Sequence, residues 1–119
     1  MSYIDGFVLP IRKDRIEDYR RIAHTAGGIW REHGALDYHE CIAEDLRTDG
    51  GLRSYVDLLQ LGPDETDVFA WIEFPSRADR DRINAAVMAD ERLSNLCQPG
   101  DPVDYRRMAY GGFETLVRR

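Results

Sequence analysis

The segment Thr66 to Phe74, TDVFAWIEF, constrains this chain more than any other. Val68, Ala70 and Ile72 alternate there with Phe69, Trp71 and Glu73. A β-strand sends successive side chains to opposite faces, so this alternation predicts a strand that is apolar on both sides. A sheet built around it needs cover on two faces, and helices from the same chain supply one layer.

The remaining segments supply partners for that strand. Tyr3 to Leu9 is rich in β-branched and aromatic residues and predicts a first strand that ends at Pro10, which has no N–H for a ladder. Asp14 and Glu17 have the spacing of a capping box, and Ile16, Tyr19, Ala23, Ala26 and Trp30 follow at helical spacing. This predicts a long amphipathic helix that ends near His33, with Gly34 as a left-handed cap. The pair Gly27 and Gly28 inside it predicts close packing or a kink. Ala35 to Ala43 reads as a second strand.

Between Glu44 and Glu65 the signal weakens. The run TDGG marks a turn, and the alternation of Tyr55, Asp57, Leu59 and Leu61 favours a short extra strand. Ser76 and Asp79 form a second capping box for a helix running to about Asp90, with Ala78, Arg82, Ile83, Ala86 and Val87 on one face. Asp90 can cap a further short helix through Leu93 and Leu96, and after the loop QPGDP the segment Met108 to Val117 predicts a last strand. The order βαββαβ is that of a ferredoxin-like split βαβ unit: an α+β fold with an antiparallel sheet, two helices on one face, and a single domain over residues 1–119.

Composition narrows the function classes. Of the 119 residues, 43% are hydrophobic and 32% charged, which supports a packed core without a long disordered tract. The formal net charge of -6 opposes attraction to phosphate backbones, so nucleic acid is not an expected partner. No apolar run approaches the roughly 20 residues that span a bilayer, and MSYIDGFVLP lacks the features of a secretory signal. The expectation is a cytoplasmic protein with no membrane partner and with Cys41 and Cys97 as reduced thiols. No Walker, Rossmann or zinc spacing is present, so neither a cofactor nor a metal is expected.

Four blocks, MSYIDGFVLP, WREHGALDYHEC, PDETDVFAWIEFPSRADRDRINAAVMADERL and MAYGGFETLV, resemble the YbaA-like family of uncharacterised proteins. The resemblance covers nearly the whole chain, apart from about Ala43 to Leu61 and the loop from Pro99 to Arg106. It implies a dimeric α+β barrel in which two ferredoxin-like sheets pack face to face, similar to antibiotic-biosynthesis monooxygenases, muconolactone isomerases and haem-degrading relatives. It implies no particular activity, because one fold hosts many chemistries.

Candidate site residues follow from the period of two. If Ile4, Gly6 and Val8 pack on the helices, then Tyr3, Asp5 and Phe7 point into the barrel, together with Phe69, Trp71 and Glu73 of the third strand. Tyr38 and Glu40, and Met108, Tyr110 and Glu114, are expected on the same side, unless a bulge at Gly111 and Gly112 reverses part of the last strand. Asp5 and Glu40 are the acid/base candidates, because a carboxylate in an apolar cavity has its pKa raised towards the range useful for proton transfer. Tyr3, Phe7, Trp71, Glu73 and Tyr110 are the ligand-binding candidates, with Trp30 a further aromatic. The plainer reading places each acid at a strand end or paired with arginine.

His33 and His39 are conceivable haem ligands, against a plainer reading of helix-end stabilisation and a solvated strand face. Cys41, two residues from His39, is either a nucleophile or a small buried apolar residue, and the SRADRDR run reads as a solvated helix face. The function these features favour is a small-molecule enzyme or binder, a cofactor-independent isomerase or monooxygenase-like protein, with its pocket inside the barrel and a homodimer formed through the sheet face. The alternative is a non-catalytic dimeric structural or stress-related protein.

Overall fold

A computed structural model describes all residues from 1 to 119. Strands β1 (Tyr3–Arg12), β2 (Asp37–Ile42), β3 (Glu65–Phe74) and β4 (Ala109–Glu114) form one antiparallel sheet in the order β2-β3-β1-β4. Helices α1 (Ile16–Glu32), α2 (Tyr55–Leu59), α3 (Arg77–Met88) and α4 (Glu91–Leu96) complete the chain. The order of strands and helices is ferredoxin-like, with α2 inserted between β2 and β3. No helix is long and apolar enough to cross a membrane.

The core lies between the helices and one face of the sheet. Ile72 and Phe74 of β3 meet Ala26 and Ile29 of α1, Ile83 and Val87 of α3 and Leu93 of α4, while Leu9, Ile11, Val68 and Ala70 form a second cluster beside Ile16 and Tyr19. Burying a side chain such as Phe74 or Ile83 stabilises the fold by roughly 1.5–3 kcal/mol. Ser76 caps α3 by accepting from the Asp79 amide at 3.1 Å, and Asp90 caps α4 by accepting from the Arg92 amide at 3.0 Å. Both caps follow the spacing in the sequence.

Several expectations are corrected. β1 runs through Pro10 to Arg12. The Lys13 amide donates to the Asp64 carbonyl at 2.8 Å, so the backbone N–H and C=O groups of the odd-numbered residues of β1 point to β3 and the nitrogen of Pro10 points to the β4 side. There β4 has already ended opposite Val8, so the missing N–H disrupts no ladder. Asp14 does not cap α1; its carboxylate accepts from the Arg12 guanidinium at 3.0 Å, and the helix starts from a 3-10 turn at Lys13–Arg15. Tyr55–Leu59 is helical rather than extended, because Ser54 caps it by accepting from the Val56 amide at 3.0 Å and Leu59 is buried beneath it. Arg107 staples this insertion to the start of β3, donating to Glu65 at 2.6 Å and to the carbonyls of Leu59 and Gln60.

The largest correction concerns the faces of β1. Directly opposed residues in an antiparallel pair share a face. Asp5 lies opposite Ile72, Phe7 opposite Ala70 and Leu9 opposite Val68, so Asp5, Phe7 and Leu9 face the helices. Ile4, Gly6 and Val8 lie opposite Glu73, Trp71 and Phe69 on the face that no helix of the core covers. No bulge interrupts β4, whose pairing with β1 runs unbroken through Gly111 and Gly112. Phe69 is 42% exposed and Phe113 59% exposed on that open face.

Candidate functional site

Between the sheet and the helices lies a cavity of about 530 Å³. Its apolar walls come from Phe7, Ala26, Ala70, Ile72 and Leu93, and its aromatic walls from Tyr19, Trp30, Tyr38 and Tyr110. Two carboxylates enter it from the sheet, Asp5 from β1 and Glu40 from β2.

Glu40 is held by two phenols. Tyr19, reaching down from α1, donates to Oε1 at 2.6 Å, and Tyr38, two residues earlier on the same strand face, donates to Oε2 at 2.6 Å. Burial lifts the Glu40 carboxyl above the ordinary carboxylate range, and the two hydroxyl hydrogen bonds pull it partway back. Burial first, and the Glu40 charge second, push both phenols far above the usual tyrosine range, so they remain protonated donors. The approach of α1 to β2 depends on Gly27. A Cβ there would stand 2.7 Å from the Tyr38 ring, so the tyrosine that holds Glu40 occupies the space of the absent side chain.

Asp5 is set in a different network. It is 1% exposed; Asn84 of α3 donates to its Oδ2 at 3.0 Å, and the Asn84 amide is fixed in turn because Trp30 donates to its Oδ1 at 2.9 Å. Arg80, one turn earlier on α3, places Nε 3.7 Å from Asp5 Oδ1, and neither of those two atoms has a hydrogen-bond partner. The guanidinium also donates to the hydroxyls of Tyr3 at 3.0 Å and Tyr110 at 3.1 Å. Gly112 leaves room for this corner, since a Cβ there would lie 2.5 Å from the Tyr3 hydroxyl and 2.9 Å from the arginine.

Of the residues singled out from sequence, Asp5, Phe7, Glu40 and Tyr110 line the cavity. Tyr3 does not line it; its hydroxyl accepts from Arg80, which stands behind Asp5. Trp71 and Glu73 belong to the other face of the sheet, where the Trp71 ring stacks on His39 at 4.5 Å and 9°. Cys41 is exposed rather than buried, on the same side as Phe69, and both cysteines are free. His33 joins the end of α1 to the cap of α4 through a 2.9 Å contact with Asp90. No group of three or more histidine, cysteine, aspartate or glutamate side chains is arranged to hold a metal ion.

Arg80 and Asn84 were not among the candidates, and the run around Arg80 had the look of a solvated face. A signal was nevertheless present. Arg80, Ile83, Asn84 and Val87 recur at the i, i+3, i+4, i+7 spacing of one helix stripe, and Ile83 and Val87 are fully buried.

Comparison with known proteins agrees with this architecture. The chain is 38% identical over 117 residues to the uncharacterized protein YbaA of Escherichia coli K12, covering 98% of each chain. Among solved structures it is similar to a NIPSNAP family protein with unknown function from Agrobacterium tumefaciens, at a TM-score of 0.60 and 16% identity, covering 94% of this chain and 86% of that one. Rv0793 from Mycobacterium tuberculosis superimposes at a TM-score of 0.57 with 17% identity over 99% and 98% of the two chains. At such identity these structures bear on the fold alone. A family model for proteins of unknown function matches residues 2–105, and with the YbaA identity this shows that the chain belongs to that family, DUF1428.

Proposed function

We propose that this protein binds a small, largely apolar molecule in the cavity beneath its helices, and that Glu40 is the group equipped to exchange a proton with it. The observation that carries this reading is the position of Glu40: a carboxylate set in apolar walls, lifted in pKa, and aligned by two phenols that stay protonated. A general base works best when its pKa approaches the working pH, and burial moves Glu40 in that direction. An isomerase-like step balances its proton with this one group, on a substrate that itself delocalises the charge left behind: Glu40 takes a proton from one atom of the substrate and returns it to another. Asp5 is less suited to that step, because Arg80 and Asn84 already engage it.

A cavity of this volume also argues against a purely structural interior, which would be filled at core density. We further propose that two copies associate through the open sheet faces, because Phe69 and Phe113 stay exposed there and no helix of the core covers them.

A thermal-shift screen of aromatic and alicyclic compounds tests the binding reading. Hits are expected for the wild type and not for Ala70→Leu, which extends a side chain from β3 into the cavity. Hits that persist in a folded Ala70→Leu variant place the ligand elsewhere and refute the site. Once a turnover is known, Glu40→Gln is expected to reduce it by about 10²–10⁴-fold.

A further inference from the structure

The charges lining the cavity are one-sided. The chain contains fifteen arginines and one lysine, yet neither residue type lines the cavity, which takes in the carboxylates of Asp5 and Glu40. Asp5 has its counter-charge in Arg80, 3.7 Å away behind the wall. Glu40 has no cation within 4.0 Å; its only side-chain partners are two neutral phenols. Each carboxylate oxygen accepts about two hydrogen bonds, so both oxygens of Glu40 retain a free acceptor position. On the outer side of α1, Arg20, His24 and Arg31 border a groove along β2 that shares Tyr19, Ala23, Tyr38 and Glu40 with the cavity. None of the three lies within 4.0 Å of the Glu40 carboxylate; Arg20 pairs with Glu17, and Arg31 donates to the carbonyl oxygens of Ala35 and Leu36.

An ionised carboxylate in apolar surroundings is costly unless a counter-charge joins it. An anionic ligand would add a second unpaired charge to the same space. A cationic ligand supplies the missing partner, and the rings of Tyr19, Tyr38, Trp30, Phe7 and Tyr110 offer faces that attract an ammonium group. Resting on the binding reading given above, we propose that the cavity selects an organic cation: a primary or secondary ammonium on an apolar, ring-bearing body, with the ammonium nitrogen at Glu40 and the rings against the aromatic walls.

A matched set of probes with one body and three charges tests this: naphthylmethylamine, naphthylmethanol and naphthoate, titrated by calorimetry near neutral pH. The amine is expected to bind at least about tenfold tighter than the alcohol, with the carboxylate weakest. In Glu40→Gln the amine should fall to the affinity of the alcohol, whose own binding is retained. The wild-type ranking decides the matter even if that variant does not fold. Equal affinity for amine and alcohol, or tightest binding of the carboxylate, overturns the charge selection; loss of that binding in Ala70→Leu would then leave the cavity reading standing. No binding by any of the three, together with no hit in the wider screen, overturns both.

Discussion

The two faces of the sheet solve the same problem in opposite ways. On the helix side both carboxylates that enter the apolar layer are met by a partner from another element: Glu40 by Tyr19, and Asp5 by Asn84 and Arg80. On the open side the apolar side chains Phe69 and Phe113 remain exposed, while Asp67, in phase with Phe69, is 2% exposed and its Oδ1 has no partner. Burial alone raises the Asp67 carboxyl to about 6. The difference teaches that burial of a carboxylate is not itself a functional signal. What separates Glu40 from Asp67 is a cavity beside it and donors that fix its orientation.

The contrast can be broken or sharpened by substitution. The largest expected effect is in the closed layer: Phe74→Ala, at a fully buried position, should cost about 3–5 kcal/mol in urea unfolding. Phe69→Asp on the open face is expected to leave the isolated subunit's stability within about 1 kcal/mol while weakening self-association by roughly a hundredfold in sedimentation equilibrium. The charge would enter the interface from both copies. A dimer that survives Phe69→Asp would remove the open face from the interface.

Asp67→Asn should raise stability by about 2 kcal/mol at pH 8 and change little at pH 3. The sign follows from linkage. The folded carboxyl resists ionisation up to about pH 6, whereas the unfolded one ionises near its ordinary value, so the native state binds the extra proton and loses stability as pH rises through that window. The asparagine variant should be flat across it. Smallest is Tyr19→Phe, which removes one of two donors to Glu40 and should cost about 1 kcal/mol while raising the Glu40 pKa further, as read by carbon-detected NMR titration.

Much of this comparison was legible in the sequence. The alternation through Val68 and Trp71 gave β3 and its two apolar sides, and the spacings at Ser76 and Asp90 gave the starts of two helices. A strand that ends at Pro10 hides the phase of β1. Read onward to Ile11, the series Asp5, Phe7, Leu9, Ile11 shows the helix-facing set, with one acid among three apolar residues. The pairing of Glu40 with Tyr19 joins residues 21 positions apart on different elements, and that of Asp5 with Asn84 spans 79. No local spacing encodes such contacts; they exist only once the helices have docked. The short helix at Tyr55–Leu59 was hidden for a related reason: although its Ser54 cap is local, its end is held by Arg107, far along the chain.

The central claim is that the covered face, and not the open one, holds the ligand site, with Glu40 at its heart. Crystals of the wild-type protein equilibrated in several organic solvents test this most directly. The account predicts that solvent molecules of different kinds converge in the cavity bounded by Tyr19, Trp30 and Glu40, with a polar atom within hydrogen-bonding distance of the Glu40 carboxylate. A cavity that stays empty in every solvent, with clusters gathered only over Phe69 and Trp71, would contradict it.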